Sequence, residues 1–305
     1  MDLMLNVFLA IVETFLAFGL GALAMRYQFL QPGDLPRLGR LTLDLMFPLM
    51  VFSSITRNFD PSRLNDLWLM PVLGFALMAF GALAGLGLRR GMRGRTPARL
   101  ATFHHFCAVN NYVFLPLIVL DKIWGEHYVS LLLLMNVGST IGFWTIGVLT
   151  LGGSGLSQSI KNIFSINLLA VADALFVSFL GLPIPTVLAN TARSIGDASV
   201  PVMLLLIGAA IYNSAGKIFH YKFDVLYLSA VRLVLLPLLI VLALKLLPLP
   251  REVYEVTFVV ALMPVSSSSV LITQRYGGCT DFAGQAIVVT TVLSLFSIPL
   301  MLNLL

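Results

Sequence analysis

Long apolar runs separated by short polar clusters recur along the whole chain. Each run is about twenty residues, the length an α-helix needs to cross ~30 Å of hydrocarbon. The pattern predicts spans over 5–25, 39–57, 67–88, 99–120, 127–150, 163–183, 193–214, 224–247, 253–274 and 281–303. These runs are too long and too continuously apolar for the alternating strands of a barrel, which leaves helices to satisfy the backbone in lipid. The connections are short, so the expectation is one membrane domain with no soluble appendage. The first run, Leu5 to Met25, lacks a small-residue cleavage site before the following segment and reads as a span rather than a leader.

Composition agrees with this pattern. The chain is 58% hydrophobic and 11% charged, with a mean hydropathy of +0.95, where soluble domains carry roughly 25% charged residues. The net charge of +5 does not argue for nucleic acid, because the basic residues sit in the short loops. Loops one, three, five, seven and nine and their flanks carry Arg26, Arg37, Arg40, Arg89, Arg90, Arg93, Arg95, Arg99, Lys161, Lys217, Lys222 and Arg275. The intervening loops and flanks carry Arg57, Arg63, Lys122, Arg193, Lys245 and Arg251, twelve against six. The positive-inside bias puts the odd loops in the cytoplasm and both termini outside, in a multi-pass protein of the cell (inner) membrane. Cys107 and Cys279 have no paired spacing and signal neither a disulfide nor a metal site.

The two halves echo one another. Asp44-Leu-Met-Phe-Pro48 in the second span matches Asp197-Ala-Ser-Val-Pro201 in the seventh, 153 positions on. Ile123-Trp124-Gly125 after the fourth span is echoed by Arg275-Tyr276-Gly277 after the ninth. Equivalent elements lie five spans apart, and five is odd, so the second copy is inverted in the membrane. The expectation is therefore an all-α integral membrane protein of ten transmembrane helices in two inverted five-helix repeats, 1–150 and 151–305. Inverted repeats characterise secondary transporters; the competing explanation is chance recurrence of Pro, Met and Leu.

Polar and helix-breaking residues interrupt two matched spans. Asn110, Asn111 and Tyr112 precede Pro116 in the fourth span, and Met263 and Pro264 precede Ser266, Ser267, Ser268 and Ser269 in the ninth. A proline removes a backbone donor and frees carbonyls, and such broken backbone survives at membrane depth only inside protein or beside a water-filled cavity. Interrupted helices at corresponding places mark a transporter's binding site. The half-helix N-termini would suit a carboxylate. The alternative is a plain kink whose serines bond back to their own helix. Among intramembrane carboxylates, Glu13, Asp44 and Asp197 are the candidates for a coupling ion or proton, with Asp173 nearby. Asp44 and Asp197 each stand one turn before a proline. If buried, they bind a cation, carry a proton or pair with Arg232, the only arginine deep in a span.

Other chemistry finds little support. His104 and His105 are adjacent, point to different faces of a helix and have no further ligand cluster, so no metal or cofactor is expected. Motifs such as HExxH, GxSxG or a P-loop are absent from the sequence, which gives no basis for an enzyme. Gly21, Gly74, Gly81, Gly85 and Gly208 read as sites of close helix packing.

The sequence resembles the auxin efflux carrier family, including bacterial malonate-permease-like members, over essentially its full length. The resemblance rests on Leu38-Gly-Arg-Leu-Thr-Leu-Asp-Leu-Met-Phe-Pro48, Leu180-Gly-Leu-Pro-Ile-Pro185 and Pro201-Val-Met-Leu-Leu-Leu-Ile-Gly208. It is completed by Arg232-Leu-Val-Leu-Leu-Pro237, by Met263-Pro264 and by Arg275-Tyr276-Gly277-Gly278. It implies ten helices with broken fourth and ninth helices crossing at the substrate site, and the movement of a small organic anion, often a carboxylate. The bile-acid sodium symporters look like distant relatives of the same architecture. Their ninth helix bears an acidic residue at the sodium site, and none stands between Met263 and Gln274. The partners implied are an organic anion, the lipid bilayer, a proton or sodium ion, and a second copy in a homodimer. A sodium-coupled symporter and an anion channel are the alternative readings.

Overall fold

A computed structural model describes residues 2–59, 67–152, 166–214, 221–266 and 269–303. Ser267 and Ser268 lie outside the described residues. The first half of the chain holds α1 (Asp2–Arg26), α2 (Asp34–Asn58), α3 (Leu69–Gly91), α4 (Pro97–Ala108), α5 (Phe114–Trp124) and α6 (Glu126–Thr150). The second half holds α7 (Ile166–Leu180), α8 (Thr186–Asn213), α9 (Lys222–Leu244), α10 (Arg251–Ala261), α11 (Ser269–Arg275) and α12 (Thr280–Leu302). Among the described residues, α2, α3, α6, α8, α9 and α12 are each long and apolar enough to cross a bilayer. The one departure from helical pairing there is an isolated antiparallel bridge between Asn110 and Val265.

Packing follows a reciprocal scheme. α1 lies along α8 and α2 along α7; α3 lies along α6 and α9 along α12. Glycines let these backbones meet. A side chain on Gly21 would strike the Leu205 carbonyl, and one on Gly208 the Phe18 carbonyl, which fixes α1 against α8. Gly74 meets the Met135 carbonyl between α3 and α6, while Gly81 and Gly85 seat α4 against α3 through Cys107 and His104. With lipid outside as apolar as the core, such close contact between small residues is a principal source of helix association.

Among the described residues three helices carry a π turn: α2 over Thr42–Met46, α6 over Phe143–Gly147 and α9 over Val231–Leu235. A π turn widens the backbone and re-aims the groups within it, and such turns gather at functional sites. Those in α6 and α9 supply contacts to the site described next.

Candidate functional site

Both suspected breaks interrupt their helices. α4 ends at Ala108, and helix resumes only at Phe114. α10 ends at Ala261, and α11 begins at Ser269. Each helix stops ahead of its proline. Pro264 disfavours the helical conformation before it, whereas Pro116 sits in the first turn of α5, where its missing N–H is an orphan anyway.

The two extended segments lie against each other antiparallel. Asn110 bridges Val265, and the Asn111 N–H donates to the Pro264 carbonyl at 2.7 Å. The Asn110 side chain, 4% exposed, donates to the Val260 carbonyl at the end of α10. Backbone groups released by one break are thus satisfied by the other, as a low-dielectric interior requires. Val109, Met263 and Val265 are buried in the same layer, and Ser266 is buried beside them. Asn111, Tyr112 and Val113 keep partial exposure, and the Asn111 amide makes no side-chain hydrogen bond among the described residues. The Tyr112 ring packs on Phe143. Pro116 is buried in α5.

Arg232 completes the crossing. It is 2% exposed and projects from the π turn of α9. Its guanidinium donates to the carbonyls of Met263 (3.1 Å), Ala261 (2.9 Å) and Cys107 (3.3 Å). Ala261 closes α10, Met263 lies two residues beyond it and Cys107 is the penultimate residue of α4; these carbonyls would otherwise point unpaired into the core at the negative ends of two helix dipoles. The planar fork of Arg suits three diverging acceptors.

His105 forms a second link across the halves. Its Nδ1 lies 2.8 Å from the Gly147 carbonyl in the π turn of α6, and its Nε2 lies 2.9 Å from Ser269 Oγ at the start of α11. His104 turns away to the Ala82 carbonyl in α3.

The acidic candidates lie elsewhere. Asp44 and Asp197 qualify for coupling roles only if buried, yet their side chains are 60% and 59% exposed, and each pairs with an arginine one turn back, Arg40 and Arg193. Neither touches Arg232, whose partners are carbonyls. Glu13 is exposed as well and pairs with Lys122 at 2.7 Å. The reason is local: an aspartate with Arg at i−4 has its counter-charge on its own helix face, so the apolar run around it says nothing about which side it faces.

Two cavities flank the crossing. One, of about 770 Å³, is lined by Arg89, Arg90, Arg95, His104, Thr150 and Gly277, all from or beside odd-numbered loops. The other, of about 470 Å³, reaches Met50 and Leu117 and is lined by Arg57, Asp121, Lys122, Glu126 and Asp197 from the opposite end. Leu117 is one turn from the start of α5, and His104 is one turn before the end of α4.

Apolar helices crossing at paired, interrupted segments, with a cavity toward each end, define an α-helical membrane transporter. Residues 6–173 and 154–302 each match the model of the family described as membrane transport protein. The chain belongs to that family, which includes the auxin efflux carriers. It is also 26% identical over 275 residues, 88% of each chain, to an uncharacterized transporter of Methanothermobacter thermautotrophicus.

Proposed function

We propose that this protein is a secondary transporter that moves a small organic anion, a carboxylate, by alternating access around the crossing of the 109–113 and 262–266 segments. In this reading α4 with α5, and α10 with α11, are single interrupted spans, which makes ten spans in two inverted repeats, 1–150 and 151–305. The reciprocal packing supports it: exchanging each span for the one five places on turns the α1·α8 contact into α7·α2 and the α3·α6 contact into α9·α12. Asn111 and Pro264 are themselves 153 positions apart, the spacing of the sequence echo, so a pseudo-twofold axis passes through their hydrogen bond.

The observation that carries the proposal is the paired break itself. The first-turn amides of α5, the Asn111 side-chain amide and the Ser266 hydroxyl belong to it, donors that suit a carboxylate without a fixed charge to hold it too tightly. Asn110, Tyr112, Pro116, Met263 and Pro264 shape the site, and Ser267 and Ser268 belong to the same proposed set. Arg232 neutralises the helix ends opposite. The test is exchange of radiolabelled malonate by purified protein in liposomes. Saturable, protein-dependent exchange supports the proposal. Absence of exchange with malonate and with other two- to four-carbon carboxylates contradicts it, and flux too fast for a carrier would indicate a channel instead.

A further inference from the structure

With Asp44 and Asp197 exposed, His105 is, besides the arginine Arg232, a buried ionisable group that joins the two halves beside the crossing. It is 0% exposed, and its partners define its state. The Gly147 carbonyl can only accept, so Nδ1 carries the hydrogen and donates to it at 2.8 Å. Nε2 is then the free acceptor, and the Ser269 hydroxyl donates to it at 2.9 Å. Thr150 Oγ1 stands 3.3 Å from Nδ1 and itself donates to Gly147. Thr150 also lines the 770 Å³ cavity, so a residue within 3.3 Å of the ring faces that cavity.

The ionisable neighbours are His104 and Cys107 on the same helix, Tyr112 packed on Phe143, and Tyr276 and Arg275 at the far end of α11. Arg232 reaches the carbonyl of Cys107, and Arg89 and Arg90 line the cavity with His104. The facing stretches of α3 and α6 contribute no charge. α9 and α12 also pack on α4 and carry Asp224, held by Arg99 of α4 at 3.1 Å, and Asp281; the hydrogen-bond partners of the His105 ring are Gly147, Thr150 and Ser269.

We propose that His105 is the proton-binding site that couples transport, and that the anion substrate supplies its missing counter-charge. The proposal rests on the crossing being the anion site. When the cavity side opens, water reaches the ring and one proton adds to the Nε2 lone pair, giving an imidazolium. The Ser269 hydroxyl rotates from donor to acceptor, a change that a serine accommodates without moving its backbone. A carboxylate at the crossing stabilises the cation. When anion and proton leave on the other side, Nε2 loses its proton to water and the arrangement seen here returns. One proton thus accompanies each anion.

Two measurements test this. In nanodiscs with [15N]histidine-labelled protein, the ring signal missing from His105→Gln reports the site. The Nδ1-protonated tautomer at about pH 8 should become doubly protonated toward about pH 5, and malonate should move that midpoint upward. Ser269→Ala should move it downward, and this variant serves if His105→Gln does not fold. A His105 ring that keeps one proton throughout, with and without malonate, overturns the proposal. In liposomes clamped at zero membrane potential, one unit of pH gradient should concentrate malonate about tenfold in the wild type. His105→Gln should exchange malonate more slowly and ignore the gradient; accumulation equal to wild type overturns the proposal. If the wild type exchanges no malonate, the anion-site reading fails, and titration of the ring alone then decides whether His105 binds the proton.

Discussion

Asn111 donates its backbone N–H to the carbonyl of Pro264 at 2.7 Å, across 153 positions of sequence. Under the proposed two-repeat register these residues occupy corresponding places and are direct partners. Each break is stabilised by the other, so the crossing persists as one unit or not at all.

Arg232→Met leaves three buried carbonyls without donors, at the ends of two helices. A buried acceptor left unsatisfied costs about 1–3 kcal/mol, and we expect a large drop in the melting temperature of the detergent-solubilised variant. Arg232→Lys, a point charge unable to reach all three acceptors, should fall between the two. A wild-type melting temperature for Arg232→Met would contradict the capping role.

Gly81 and Gly87 lie on the same helix in opposite situations. A Cβ at Gly81 would come within 2.1 Å of the Cys107 carbonyl, whereas one at Gly87 meets nothing within 4 Å. Gly81→Ala should reduce folded yield sharply by forcing α3 from α4. Gly87→Ala should leave it unchanged or raise stability slightly, by up to about 1 kcal/mol, through helix propensity. Size-exclusion profiles and thermal melts of the two variants provide the comparison.

Asp44→Asn and Asp197→Asn remove exposed i,i+4 pairs, worth about 0.3–0.5 kcal/mol each. Both variants should keep wild-type stability and wild-type response to a pH gradient. Loss of gradient-driven accumulation in either would restore the carboxylates as coupling groups.

The excess of Lys and Arg in odd loops predicts that both termini are extracytoplasmic. Alkaline phosphatase fused after Leu305 should be active, and a cytoplasm-dependent fluorescent fusion there should be dark.

Much of this was legible in the sequence because membrane spans obey two simple constraints, length and polarity. Asn110, Asn111 and Pro116, like Pro264 and its serines, violate both inside apolar runs and so marked the breaks. The roles of Arg232 and His105 were not legible. Charge pairing is the only partnership a sequence suggests for a buried arginine, and the carbonyls that Arg232 binds become unpaired only once α4 and α10 end where they do. His105 meets Gly147 and Ser269 through a π turn and a crossing that no local pattern encodes. Arg40 and Arg193, four residues before Asp44 and Asp197, were the readable sign that those carboxylates have local partners.

Hydrogen exchange of the protein in nanodiscs, with and without a saturating small carboxylate such as malonate, tests the central claim most directly. The account predicts new protection confined chiefly to peptides covering 109–116 and 263–270, lost together in Asn111→Ala, whose affinity should fall at least tenfold through loss of a hydrogen bond to a charged group while its backbone bond to Pro264 keeps the fold. Protection that leaves both segments unchanged and appears only around Arg89–Arg95, or that persists in Asn111→Ala, would contradict it.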